Sequence, residues 1–188
     1  DGSLQCQVED PYWRQVECGL RRKLYQVQHM PADMLLVPYI LLPRILQDPR
    51  YRDFGITVQE HITQTDVASD VVSHAYIKQF ASMEDLGKIQ MTRLKGDRKR
   101  QDEAMEEGQR IFQGIAPLYW EGVSLHCGLW DTISQWQGVQ ECYFMLIDEP
   151  ELLHAMMERM TQAMLSLIRQ GNEEGLFDVA SGVCHCSH

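Results

Sequence analysis

The sequence predicts an α/β protein built from parallel strand–helix units, with a β-hairpin inserted among them. Three observations point there. The apolar runs 32–42, 115–122 and 177–184 have the composition of strands buried on both faces, as in a parallel sheet. Stretches with apolar residues at helical spacing separate them, so the order reads strand, helix, strand, helix, strand. Residues 54–80 differ. Their β-branched and aromatic residues alternate in part around a polar break at Asp66–Asp70, the pattern of an antiparallel hairpin.

Taken in order, Asp10 is placed to cap a helix over Tyr12–His29, with Pro11 at its first position and Val16, Leu20, Leu24 and Val27 as its apolar stripe. Ala32–Leu42 follows as the first parallel strand. GITVQEHITQT and DVVSHAYIKQF supply the two arms of the hairpin. Ser82 caps a short helix to Ile89, with Asp85 in its first turn. Asp97–Gln113 is a charged helix whose expected buried face is Ala104, Met105, Ile111 and Phe112. Ile115–Gly122 is the next strand, and Trp130–Trp136 a short helix, with Asp131 read as the cap of Thr132–Trp136. The longest helix runs from Asp148 to Gly175. Asp148 and Glu151 form a capping-box-like pair and Pro150 falls in the first turn. Leu153, Met156, Met157, Met160, Met164, Leu167 and Ile168 recur at helical spacing, and Gly175 supplies a left-handed stop. Phe177–Cys184 is read as a third parallel strand.

A chain of 188 residues with 44% hydrophobic content fits one globular domain or part of one. No apolar run approaches the ~20 residues of a membrane span, and 1–10 show no basic and apolar signal-peptide pattern. A formal charge of −10 argues against nucleic acid as a partner. The basic cluster Lys95–Arg100 reads as a solvated face. Six cysteines, at 6, 18, 127, 142, 184 and 186, are expected as reduced thiols in the cytoplasm. The ten methionines read as core filler rather than a binding groove. Neither a phosphate-binding glycine loop nor a Gly-x-Ser-x-Gly elbow occurs.

The wording of WDTISQWQGVQECYFMLIDEPELLHAMMERM resembles the middle of the uroporphyrinogen decarboxylase superfamily, where a Trp-Asp pair and a Gly-Val segment precede an Asp-x-Pro-Glu opening a long helix. VEDPYWRQVE at 8–17, ADMLLVPYI at 32–40 and YIKQFASMEDLGKI at 76–89 match further. The superfamily includes the decarboxylase, corrinoid- and coenzyme M-dependent methyltransferases, and many uncharacterised bacterial relatives, and the likeness is strongest to the last group. The resemblance implies a (β/α)8 TIM barrel. Such a barrel takes ~250 residues and eight strands, so this chain reads as a partial barrel, its front and middle, shortened relative to the family. A small independent α/β sandwich is the other architecture. A partial barrel exposes sheet edges and an apolar face, which makes a homo-oligomer the expected state. By resemblance the function is that of a decarboxylase-like lyase of porphyrin biosynthesis or a methyltransferase. The implied partner is a small molecule, a tetrapyrrole, corrinoid or thiol. The alternative is a non-catalytic partial barrel that self-associates.

The C-terminal Cys184-His185-Cys186-Ser187-His188 holds soft ligands that suit Zn²⁺. Methyltransferases of the superfamily bind zinc through His-x-Cys at a similar place, where the ion activates a substrate thiol. Here His185 and Cys186 are contiguous, so the spacing departs from that motif. Cys184-x-Cys186 is an alternative pair, and an inert strand end is the competing reading. His126-Cys127 and Trp130-Asp131 follow the 115–122 strand, where barrel loops hold ligands; Trp130 suits a planar substrate. Tyr39, near the end of the first strand, is a third substrate-binding candidate. His61 and His74 lie on the two hairpin arms, with Glu60 as an acid/base neighbour. No counterpart of the decarboxylase's arginine-rich segment or pyrrole-binding Asp is found; Arg21-Arg22 sits mid-helix.

Overall fold

The computed structural model describes residues 2–30, 36–63 and 72–177. In chain order its elements are α1 (Pro11–His29), β1 (Ile40–Pro43), β2 (Glu60–Thr63), β3 (Ser73–Tyr76), α2 (Arg98–Ile111), β4 (Leu118–Glu121), α3 (Leu129–Gln137), α4 (Val139–Asp148) and α5 (Pro150–Glu173). Helices and strands are mixed, and the described strands form two sheets of two strands each. The chain divides into two compact units. The described part of the first comprises 2–30, 36–45 and 97–122; that of the second comprises 46–63, 72–96 and 123–177.

In the first unit β1 and β4 pair in parallel, Ile40 opposite Leu118 through Pro43 opposite Glu121. Both strands are shorter than the apolar runs predict. Pro38 and Pro117 just precede them and bring no N–H to a ladder. Residues 36–39 are outside the strand, and Ile115 is 73% exposed. Helix α1 begins as its sequence directs, since Asp10 Oδ1 accepts from the Trp13 N–H at 3.0 Å and Pro11 is the first residue. Only the start of its stripe is buried. Val16 lies inside, whereas Leu24 is 62% exposed. Helix α2 is capped by Asp97, which accepts from the Arg100 N–H. It turns inward Gln101, Ala104 and Gly108 rather than the expected Met105, Ile111 and Phe112. Gly108 is the closest point. A Cβ there would stand 2.9 Å from Leu118, 3.1 Å from Leu42 and 3.2 Å from Trp13, so glycine lets α2 lie this near the strands without displacing those side-chain ends.

The N-terminal segment folds back along α1, where Cys6 and Cys18 form a disulfide with their Cα atoms 5.9 Å apart. Reduced thiols were expected at both positions. The turn before Asp10 brings the segment beside the second turn of the helix, a proximity that a separation of 12 residues conceals.

The second unit holds the hairpin and helices α3, α4 and α5. β2 and β3 are antiparallel, with Glu60 opposite Tyr76 and Ile62 opposite His74. A core of Phe54, Phe80, Ile133, Trp136, Met145, Met156, Met160 and Leu167 fills the unit, and the methionine stripe of α5 is part of it. The Phe80 ring stacks on Trp136 at 5.6 Å. Gln137, 1% exposed, binds the strand-like segment beside it as a backbone would. Its Oε1 accepts from the Phe80 N–H at 2.9 Å, and its Nε2 donates to the Phe80 carbonyl at 2.9 Å. Asp85 closes the 3₁₀ turn Met83–Lys88 by accepting from the Ala81 and Ser82 amides.

Two helix starts differ from expectation. Asp148 is the last residue of α4 and cannot cap α5, whose N-cap is Glu149. α3 begins at Leu129 after Gly128, so Asp131 lies inside its first turn and is not its cap. α5 does end at a left-handed glycine, Gly175 with φ +64°, and the Leu176 N–H returns to the Gly171 carbonyl at 2.8 Å. The third expected strand, 177–184, lies outside the described residues except for Phe177, which is not in a strand. Among the described residues no helix is long and apolar enough to cross a membrane.

Candidate functional site

After β4 the chain reaches α3 through 122–128, and this stretch presents the strongest chemical grouping. Its ends are tied down within the second unit. The Val123 N–H donates to the Leu176 carbonyl at 2.9 Å, the Arg52 guanidinium donates to the Ser124 carbonyl, and Leu125 packs against the core. The Leu129 N–H returns to the Cys127 carbonyl at 2.8 Å. His126 and Cys127 therefore stand exposed between fixed points. The Cys127 thiol faces the Leu125 carbonyl at 3.8 Å.

Gly128 is the pivot of this loop. A Cβ on it would lie 2.7 Å from His126 Nε2 and 2.8 Å from Asp131 Oδ2, so imidazole and carboxylate both approach the space beside the bare Cα. An imidazole beside a carboxylate can hold and move a proton at Nε2. Trp130, 39% exposed, lies in the same first turn of α3 as Asp131 and offers an indole face to a flat ligand. Two expected substrate-binding residues, His126 and Trp130, thus belong to one short stretch. The role given to Asp131 by its sequence position, a helix cap, is replaced by proximity to His126.

Tyr39 belongs to the first unit and is placed differently from its expectation. With β1 confined to Ile40–Pro43, Tyr39 precedes the strand instead of closing it, at the edge opposite to the one where parallel strands present ligands. Its ring meets Tyr119 edge-on at 5.4 Å, a packing role. The far edge of β1 carries a group that sequence reasoning missed. The Arg44 guanidinium lies over the Trp120 ring at 5.4 Å and donates to Gln101 Oε1 at 3.0 Å. Gln101, 6% exposed, spends its amide on the Ile45 carbonyl at 2.8 Å, which fixes its oxygen toward Arg44. Beside them the Tyr12 hydroxyl donates to the Pro43 carbonyl at 3.0 Å, and burial pushes its phenol up to about 12. The signal was present as an arginine one residue beyond a strand, but nothing linear paired it with Trp120.

On the hairpin, His61 and His74 do not face each other. His74 is opposite Ile62, so the neighbouring His61 points to the other face. His74 Nδ1 instead meets Glu60 Oε2 at 2.8 Å, and its ring stacks on Tyr76. Lys78, just beyond β3, bridges two carboxylates, Glu141 at 2.6 Å and Glu149 at 3.4 Å. Its ammonium is held above the ordinary lysine value, chiefly by the hydrogen bond to Glu141. This cluster ties β3 to the α4–α5 corner.

Cys184, His185 and Cys186, the expected zinc ligands, lie outside the described residues. Among the described residues no group of three or more His, Cys, Asp or Glu side chains is arranged to hold a metal ion. No family model, curated protein or solved structure matches this chain.

Proposed function

We propose that this chain forms part of a uroporphyrinogen decarboxylase-like α/β barrel, working in the cytoplasm as a homo-oligomer, which binds a flat tetrapyrrole or corrinoid ligand at the loop following β4. The observation that carries this reading is the approach of His126 and Asp131 to the space beside Gly128, with Trp130 beside them. Three things support it. β1 and β4 run parallel, as barrel strands do. The loop leaves the C-terminal end of a parallel strand, where such folds hold ligands. The residues themselves suit the ligand class: an imidazole can shuttle a proton and an indole can stack on a planar ring. On the methyltransferase side of the reading, Cys184, His185 and Cys186 would hold Zn²⁺ and the ion would activate a thiol. Elemental analysis of wild type against Cys186→Ser tests that branch, with about one zinc per chain, lost in the variant, as its expected result.

The binding claim is tested by absorbance titration of the protein with uroporphyrin and, separately, with methylcobalamin. Saturable binding of one of them, weakened at least tenfold in Gly128→Ala and His126→Ala, is expected. Absence of binding by both, or wild-type affinity in the two variants, would refute it.

A second reading, self-association without catalysis, is favoured by α4. On that helix Tyr143 is 65% exposed, Phe144 51%, Leu146 51% and Ile147 82%, an apolar surface larger than a lone soluble helix usually shows. Both readings expect an oligomer by light scattering, so ligand binding separates the cases. A stable oligomer that Ile147→Lys dissociates, in a protein that binds neither ligand, would establish the second reading.

A further inference from the structure

Residues 2–9 run back along α1 and are held there almost entirely by polar surface contacts. The Gln7 and Val8 amides both donate to Glu17 Oε2, each at 2.8 Å. Arg14 donates to the Val8 carbonyl at 3.2 Å and Arg21 to the Ser3 carbonyl at 3.0 Å. Arg21 also pairs with Glu17 at 2.8 Å. The apolar side chains of the segment contribute little, since Leu4 is 45% and Val8 38% exposed. The remaining link is covalent, the Cys6–Cys18 bond in the midst of these contacts. Helix α1 does not depend on it. Its own attachments use other residues: Val16 in the core, the Trp13 indole donating to Glu107 at 2.9 Å, and Tyr12 on Pro43. A bond that staples a segment otherwise held by exposed polar contacts to an independently anchored helix has the layout of a latch.

We propose that Cys6–Cys18 is a redox-sensitive latch that docks the 2–9 segment on α1 when oxidised and releases it when reduced. The reductant is a dithiol. Its thiolate attacks one sulfur of the bond, the other leaves as a thiolate and takes up a proton, and the second thiol of the reductant resolves the mixed disulfide. Cys6 and Cys18 end as thiols and the reductant as its cyclic disulfide, a transfer of two electrons and two protons. Release uncovers the Glu17 carboxylate with Arg14 and Arg21, so the exposed charge of this helix face changes with redox state. Because α1 stays folded when the bond opens, less chain entropy is released than from a cross-link in an unfolded chain, and the docking equilibrium shifts by about tenfold.

Hydrogen exchange on the full chain, with and without dithiothreitol, tests the latch, alongside alkylation and mass mapping of each cysteine. Reduction is expected to add alkyl groups to Cys6 and Cys18 together and to speed exchange at Gln7 and Val8 by about tenfold. Exchange in α5 stays unchanged. The double variant Cys6→Ser/Cys18→Ser should show the open pattern without reductant, with α5 still protected. Three results would overturn the proposal: unchanged exchange at Gln7 and Val8 on reduction, loss of α1 or α5 protection in step with it, or free thiols at Cys6 and Cys18 in the air-oxidised protein.

Discussion

Gln137→Leu is the sharpest probe of how the second unit is held together. The two side chains have similar volume, so the substitution leaves little cavity. What it removes is the amide that serves Phe80. The Phe80 N–H and carbonyl each lose a partner at 2.9 Å. Phe80 is 0% exposed, so water does not replace them. The Gln79 amide loses Gln137 at 3.1 Å but keeps the Trp136 carbonyl at 2.9 Å, and is not orphaned. Two buried backbone groups left unpaired cost about 1–3 kcal/mol each, and the lower half of that range is appropriate where a segment can shift toward solvent. The expected loss is about 3 kcal/mol. Urea unfolding followed by tryptophan emission measures it. With a slope of about 2 kcal/mol per molar, the midpoint should fall by about 1.5 M at unchanged slope. A fall below about 0.5 M would show that the clamp contributes little beyond packing, and would refute the reasoning.

In the first unit, Leu42→Ala empties a site that is 0% exposed between β1, α2 and β4, and should cost about 2–5 kcal/mol by the same urea assay; a loss under about 1 kcal/mol would contradict the packing described. Tyr12 gives a pH dependence. Burial pushes its folded phenol up to about 12, above the ordinary tyrosine value of 10.0, so its contribution is complete below about 10 and is lost as pH rises toward 12; ultraviolet titration should find a tyrosine ionising late and Tyr12→Phe removing it. Cys142 is buried, and burial raises its thiol further, whereas Cys127 is exposed; brief iodoacetamide treatment of the native protein should label Cys127 and spare Cys142, and the reverse order would misplace both.

Helices with a cap and a period were legible. Asp10-Pro11 opened α1, and the methionine stripe of α5 is buried where the spacing placed it. Helix α4 was not legible, because VQECYFMLID is apolar at every position from Cys142 to Ile147 and has no stripe; only Cys142 and Met145 turn inward. The same oversight misassigned Asp148, which had every mark of a cap but already belonged to α4. The strands were predicted too long because the apolar runs continue through Pro38 and Pro117, which bring no N–H to a ladder. At the site, His126 and Trp130 followed from their place after a strand. Their partnership with Asp131 did not. Its one linear trace is the glycine between His126 and Asp131, a residue that leaves room for two side chains to approach. Arg44 over Trp120 and Cys6 with Cys18 depend on chain reversal, which no local pattern encodes.

The claim that a flat ligand sits at the loop following β4 is tested most directly by locating the contact. Illumination of the protein with bound porphyrin in air oxidises neighbouring histidine and tryptophan side chains, and peptide mass spectrometry maps them. The account predicts oxidation concentrated at His126 and Trp130, and its loss in Gly128→Ala. Oxidation confined to other residues, with 122–131 untouched, would contradict it.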